Sequence, residues 1–144
     1  MELSKAIRTA YYTALNGNIT FNSLPVPIFD AYALPDNISY PYVLLSSQTS
    51  NQLIIKRCKR YNASILIDIV TGSTDPIGRS DAEDIAEQVD LIVNPDNFVD
   101  PDLSTYGYQL GNTIRDGDSD LTDKNNIYYI YRKLLTYSFL AVKL

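Results

Sequence analysis

Apolar residues recur along this chain with two different periods. Between Glu2 and Leu15 they fall on Leu3, Ile7, Ala10, Tyr11 and Ala14, one face of a helix, and Gly17 stands where a helix-ending glycine belongs. From Ser64 to Thr71 nearly every residue is aliphatic or β-branched, with Asp68 the lone charge, which predicts a strand covered on most of both faces. Gly72-Ser73-Thr74-Asp75-Pro76 then supplies turn chemistry. Ser80 with Glu83 three residues on has the form of a capping box and predicts a helix start. Beyond it Ala82, Ile85, Ala86, Val89, Leu91 and Ile92 form an apolar stripe, Asp81, Glu83, Asp84, Glu87 and Asp90 face water, and Pro95 ends the helix. Ile127 to Val142 is the longest β signal. Alternation puts Ile127, Tyr129, Tyr131, Lys133, Leu135, Tyr137 and Phe139 on one face, and Tyr128, Ile130, Arg132, Leu134, Thr136, Ser138 and Leu140 on the other.

The remaining segments are weaker. Asn18 to Leu24 reads as a polar connector holding at most a brief strand. Val26 to Ala31 is a short strand fenced by Pro25, Pro27 and Pro35, which suits a sheet edge because proline lacks a ladder donor. Asp36-Asn37 makes a turn, Val43 to Thr49 a strand, and Ser50-Asn51-Gln52 a turn or loop before Leu53-Ile54-Ile55. Asp96 to Leu103 is a connection, and Tyr106 to Arg115 a strand whose two glycines suggest twist or a bulge. Asp116 to Asn126 reads as a long polar loop. The order α-β-β-β-α-β-β predicts a single α+β domain over residues 1–144: a mainly antiparallel sheet of four to five strands with two helices packed on one face.

Composition narrows the function classes. A chain of 144 residues with 45% hydrophobic and 20% charged content is long enough and apolar enough to bury a core. Its net charge of -5 argues against general nucleic-acid binding, which needs clustered cations, yet suits a wall past which DNA slides. Cys58 is the single cysteine, so no internal disulfide forms and a reducing compartment is the simple reading. No apolar run approaches a membrane span and the N-terminus shows no signal-peptide hydrophobic region. With no histidine there is no Ser-His-Asp or Cys-His nucleophile and no histidine metal site, and one cysteine cannot build a thiolate zinc site. The expectation is a non-enzyme without catalytic, cofactor-binding or metal-binding residues. Twelve tyrosines and no tryptophan suit contact surfaces that are apolar at one end and wet at the other.

Four patterns invite chemistry and each has a plainer reading. Gly72 to Ser80 looks like a phosphate loop, but five residues separate the glycines, arginine replaces lysine, Asp75 adds negative charge and Pro76 removes a donor. Asp116, Asp118, Asp120 and Asp123 resemble the start of a calcium loop, yet Leu121 stands at the glycine position and Ile127 at the bidentate glutamate. A solvated hairpin loop explains them better, and a third reading has the loop meeting a neighbouring subunit or lining a channel. The run Lys56 to Arg60 has too few charges for DNA and suits solvent or an acidic surface of another copy. Asp68 has no second acid or base placed near it, so pairing with lysine or arginine is expected. If an enzyme were present, two of Asp68, Lys56, Arg115 and a tyrosine would have to share a pocket.

Taken together, the N-terminal helix, Val26-Pro27-Ile28-Phe29-Asp30, Tyr40-Pro41-Tyr42-Val43-Leu44-Leu45, Ser64-Ile65-Leu66-Ile67-Asp68-Ile69-Val70, the Ser/Asp-led helix and the terminal β pair resemble the tail terminator or tail-completion (head–tail neck) proteins of tailed bacteriophages. The acidic segment and the tyrosine-rich last strand depart from that pattern. The resemblance implies a homo-oligomeric ring, commonly a hexamer, within the virion and assembled in the bacterial cytoplasm. It would cap the tail tube protein and meet the head connector or adaptor, with DNA only as passing cargo and no membrane. It implies no catalytic residue and no cofactor. On the residues, Tyr40, Tyr42, Tyr128, Tyr129, Tyr131 and Tyr137 are the expected subunit contacts, and Arg115, Asp116, Asp118, Asp120 and Asp123 the expected loop contacts to partners or lumen. A small non-catalytic ligand- or partner-binding α+β module of a cell is the alternative.

Overall fold

Helix α1 spans Leu3–Leu15 and buries Leu3, Ala6, Ile7, Ala10, Tyr11 and Leu15, residues three and four apart along one stripe. Asn16 leaves the helix and Gly17 follows at φ +80°, a left-handed conformation that glycine adopts without a Cβ clash. These elements belong to a computed structural model that describes residues 1–30, 39–54, 57–75, 78–97, 100–124 and 127–144; Pro35, the Asp36-Asn37 turn, Lys56 and Pro76 lie outside them. Strands β1 (Thr20–Phe21) and β2 (Leu24–Pro25) form a small hairpin. Its turn residues Asn22 and Ser23 have φ of +52° and +64°, the positive values that match a two-residue turn to strand twist.

The main sheet has five strands, ordered β3-β4-β5-β7-β6, where β3 is Ile28–Asp30, β4 Tyr42–Leu53, β5 Arg60–Ser73, β6 Tyr108–Lys124 and β7 Tyr129–Lys143. Helix α2, Gly78–Val93, sits between β5 and β6 in the chain. All pairings are antiparallel except that of β3 with β4, which is parallel. The α+β expectation of a mainly antiparallel sheet with two helices holds, with the extra hairpin β1–β2 added. The proline-flanked β3 is an edge strand of three residues, as the missing donors require.

Both helices pack on one face, α1 against β3 and β4, α2 against β5 and β7, and each against the other. Beneath them lie Ile65, Ile67 and Ile69 of β5 and Tyr131, Lys133, Leu135, Tyr137, Phe139 and Ala141 of β7, all buried. The helical side chains that meet this surface include Ile7, Tyr11, Ile85, Val89 and Val93. Tyr11 and Phe139 stack with ring centroids 6.0 Å apart. Gln88 of α2 ties in the small hairpin, accepting from the Thr20 amide at 2.9 Å and donating to the Thr20 carbonyl at 2.8 Å.

Three sequence expectations are corrected. Ser50-Asn51-Gln52 is not a turn: β4 runs on to Leu53 because these polar residues pair with Tyr61, Asn62 and Ala63 of β5, on a stretch exposed to water. Asp116 to Lys124 is not a loop but the second half of β6, paired with β7 through Lys124↔Tyr129. Ser80 is not a helix cap, since α2 already starts at Gly78 and Ser80 lies inside its first turn. The expected bulge in this strand is present: register shifts fall between Gly111 and Ile114 and between Arg115 and Gly117.

Candidate interaction surface

The opposite face of the sheet has no helix over it among the described residues; Leu44 and Val70 are buried there, but Leu66, Ile130, Leu134 and Leu140 are only half-buried. At the end where β5 finishes, four aromatic rings gather. Tyr40 and Tyr42 stack at 5.8 Å between centroids, Tyr128 meets Tyr40 at 5.5 Å, and Phe29 meets Tyr42 edge-on at 6.1 Å. Gly72 makes this possible. A Cβ there would lie 2.5 Å from a ring carbon of Tyr40, so the strand must be bare where the ring crosses it.

Beside the rings lies Asp68, 1% exposed in the middle of β5. It is paired across the ladder with Leu44 and Leu134, neither of which can satisfy a carboxylate. Arg132, two residues before Leu134 on the same face of β7, supplies the counter-charge. Its Nε donates to Asp68 Oδ2 at 3.1 Å, and Nη2 donates to the same oxygen. The hydrogen bonds to Asp68 push the Arg132 guanidinium's pKa up, outweighing its partial burial. The expected arginine or lysine partner of Asp68 is therefore Arg132, on the strand face that alternation already assigned.

Further along this face a groove of about 480 Å³ is lined by the hydroxyls and amides of Thr49, Asn51, Asn62, Ser64, Asn112, Thr136 and Ser138 together with Ala63, Ile114, Phe139, Leu140 and Asp116. Ser138 donates to Asp116 at 3.0 Å, and the Thr49 and Ser64 hydroxyls lie 2.5 Å apart. Asp68, Arg115 and the tyrosines do not line this groove. Lys56 lies outside the described residues, and Asp68 and Arg115 are each engaged by a different ion-pair partner.

The acidic residues of β6 are also engaged. Lys133 reaches from the buried face of β7 to Asp118 at 3.1 Å and Asp120 at 3.5 Å. Arg115 bonds Asp118 at 2.8 Å, and Arg79 of α2 lies 3.8 Å from Asp120. Two of the four carboxylates that imitated calcium ligands, Asp118 and Asp120, thus flank an ammonium. Among the described residues no group of three or more His, Cys, Asp or Glu side chains could hold a metal ion. Asp123 accepts the Lys124 amide at 2.7 Å, and the Lys124 ammonium lies 4.9 Å from the Tyr129 ring centre.

The six expected contact tyrosines divide by face. Tyr40, Tyr42 and Tyr128 form the open-face cluster, and Tyr129 is exposed at the start of β7. Tyr131 and Tyr137 instead point under the helices, Tyr137 fully buried with its hydroxyl donating to Asp90 of α2 at 2.8 Å. They have little or no surface to give a neighbouring chain. Phe29, Leu44, Arg132 and Lys133 were not singled out from sequence. Lys133 carried a usable signal, because a cation within an otherwise apolar alternating set demands a carboxylate on the adjacent strand.

Burial makes the tyrosines sensitive to alkali. Tyr131 is pushed from 10.0 up to about 12, first by burial and then by the neighbouring Asp120 carboxylate; burial likewise raises Tyr11 and Tyr137. A pKa raised by folding means stability is intact below pH 10 and is lost as pH climbs through the folded-state value. Expected in a pH titration is a far-ultraviolet signal that holds to about pH 10 and falls between there and about pH 12, with buried phenolate absorbance appearing only as the fold is lost. Phenolate formation complete before unfolding would show that these hydroxyls are solvated.

No protein-family model and no curated protein matches the chain. Among solved structures its fold is similar to that of a chain described as "Virion of native gene transfer agent (GTA) particle", with a TM-score of 0.62 over 96% of this chain and 90% of that one. The two are 12% identical, so the likeness is one of fold.

Proposed function

We propose that the chain is a structural protein of a phage-type virion: a ring-forming tail terminator or neck component that caps the tail tube and joins it to the head connector. The observation that carries this reading is the fold shared, over 96% of the chain, with a chain of a gene transfer agent particle. The resemblance of the sequence segments to tail-completion proteins supports it independently. So does a sheet face that carries Tyr40, Tyr42, Tyr128 and half-buried aliphatics with no helix over them among the described residues, the kind of surface that packing of subunits covers. On this reading the partners are further copies of the chain, the tail tube protein and the connector, and DNA passes without being gripped. Native mass spectrometry of the purified chain, alone and with tube and connector proteins, tests it. A closed ring, commonly a hexamer, is expected, and a chain that stays monomeric with both partners present would count decisively against the reading.

A further inference from the structure

Two patches of opposite charge on this molecule find no partner among the described residues. The first is the tip of the β4–β5 hairpin. Ile54 is fully exposed there, and Arg57 and Lys59 are exposed beside it. Where the tip joins β5 the Nε of Arg60 is buried and meets no acceptor among the described residues. None of these cations enters the ion pairs formed among the described residues. The second patch is the outward stripe of α2. Glu83 pairs with Arg79 and Asp90 receives Tyr137, but Asp84 and Glu87 are exposed without a cation, and Leu91, one turn on, is 58% exposed. Asp84, Glu87 and Leu91 are spaced by three and four residues, so they share one face of the helix.

We infer that the hairpin tip of one copy docks on the outward stripe of α2 of the next, Arg57 and Lys59 meeting Asp84 and Glu87 while Ile54 packs on Leu91. The inference rests on the ring reading above and names the surfaces that would close it. The occupant is a second copy because the chain itself carries both halves: each patch holds two unpaired like charges around one exposed aliphatic residue, and the signs are opposite. Two different patches meeting give a head-to-tail contact, the type that generates rings when the rotation closes. A nucleic acid fits the tip less well, since few cations are available there and the chain's net charge is -5.

Charge exchange tests this. Arg57→Glu with Lys59→Glu, and separately Asp84→Lys with Glu87→Lys, should each weaken self-association at least about tenfold, as like charges then face one another. All four substitutions together should restore assembly to within about threefold of the parent protein, the charges having been swapped. The positions are exposed, so circular dichroism of every variant should match the parent. A parent ring that forms equally well with Arg57→Glu and Lys59→Glu overturns this interface and leaves the ring reading standing. A parent chain that is monomeric alone and with tube and connector proteins overturns both.

Discussion

Arg132→Ala should lower the free energy of unfolding by about 3 kcal/mol, near the low end of the cost of stripping a buried charge of its partner. Asp68 would remain on β5, 1% exposed, facing only Leu44 and Leu134 across the ladder. The low end applies because the Arg132 side chain is itself 42% exposed, so water can enter the space it vacates. Removing both charges is a different experiment. Asp68→Leu combined with Arg132→Met keeps the volume and leaves no orphaned carboxylate, and its cost should fall to about 1 kcal/mol or less. Urea titrations of the two variants measure the contrast. If Arg132→Ala costs no more than the double variant, Asp68 is solvated and the pair is ornamental.

Tyr137→Ala should cost about 3–5 kcal/mol, the range for deleting a buried aromatic ring. The ring lies wholly buried between β7 and α2, and its hydroxyl bonds Asp90. Tyr137→Phe keeps the ring and removes only that bond, so about 1 kcal/mol is expected. Asp90 is partly exposed and can be rehydrated, which keeps the smaller number small. The pair of variants also separates two roles. A core residue loses stability in the isolated monomer at any protein concentration; a residue at a subunit contact loses it only where copies associate. Monomer stability unchanged in Tyr137→Ala would return this tyrosine to the subunit surface that its sequence position first suggested.

Much of the frame was legible because it depends on local period. Helix α1, helix α2, β5 and β7 each carry an apolar spacing that a neighbouring element must cover, and all four exist close to where spacing places them. The second halves of β4 and β6 were not legible. Ser50 to Gln52 and Asp116 to Asp123 are mostly polar on both faces, and polar runs read as loops unless their partner strand is known. For β6 that partner is Lys133, whose ammonium makes a strand of alternating aspartates tolerable. The Asn22-Ser23 turn was missed because neither residue is glycine, although asparagine tolerates positive φ. Of the tyrosines expected at subunit contacts, Tyr40, Tyr42 and Tyr128 lie on the open face, whereas Tyr131 and Tyr137, buried under the helices, were not told apart from them. The alternation of β7 did hold the answer: the face with Arg132, Thr136 and Ser138 is the more polar one, so the tyrosines opposite it belong under the helices.

The division of the molecule that follows is simple. One face of the sheet is spent on the core beneath α1 and α2. On the proposed reading the other, with its aromatic cluster, the Asp68–Arg132 pair and a groove, together with the hairpin tip and the outer stripe of α2, is what meets other chains. The central claim is that those other chains are virion components. Imaging of purified particles with this protein located in them, by density fitting or by labelling with an antibody to the chain, tests it most directly. A ring of copies at the junction of tail tube and head is expected. Particles that are complete and infectious without the chain, or that carry it nowhere near that junction, would contradict it.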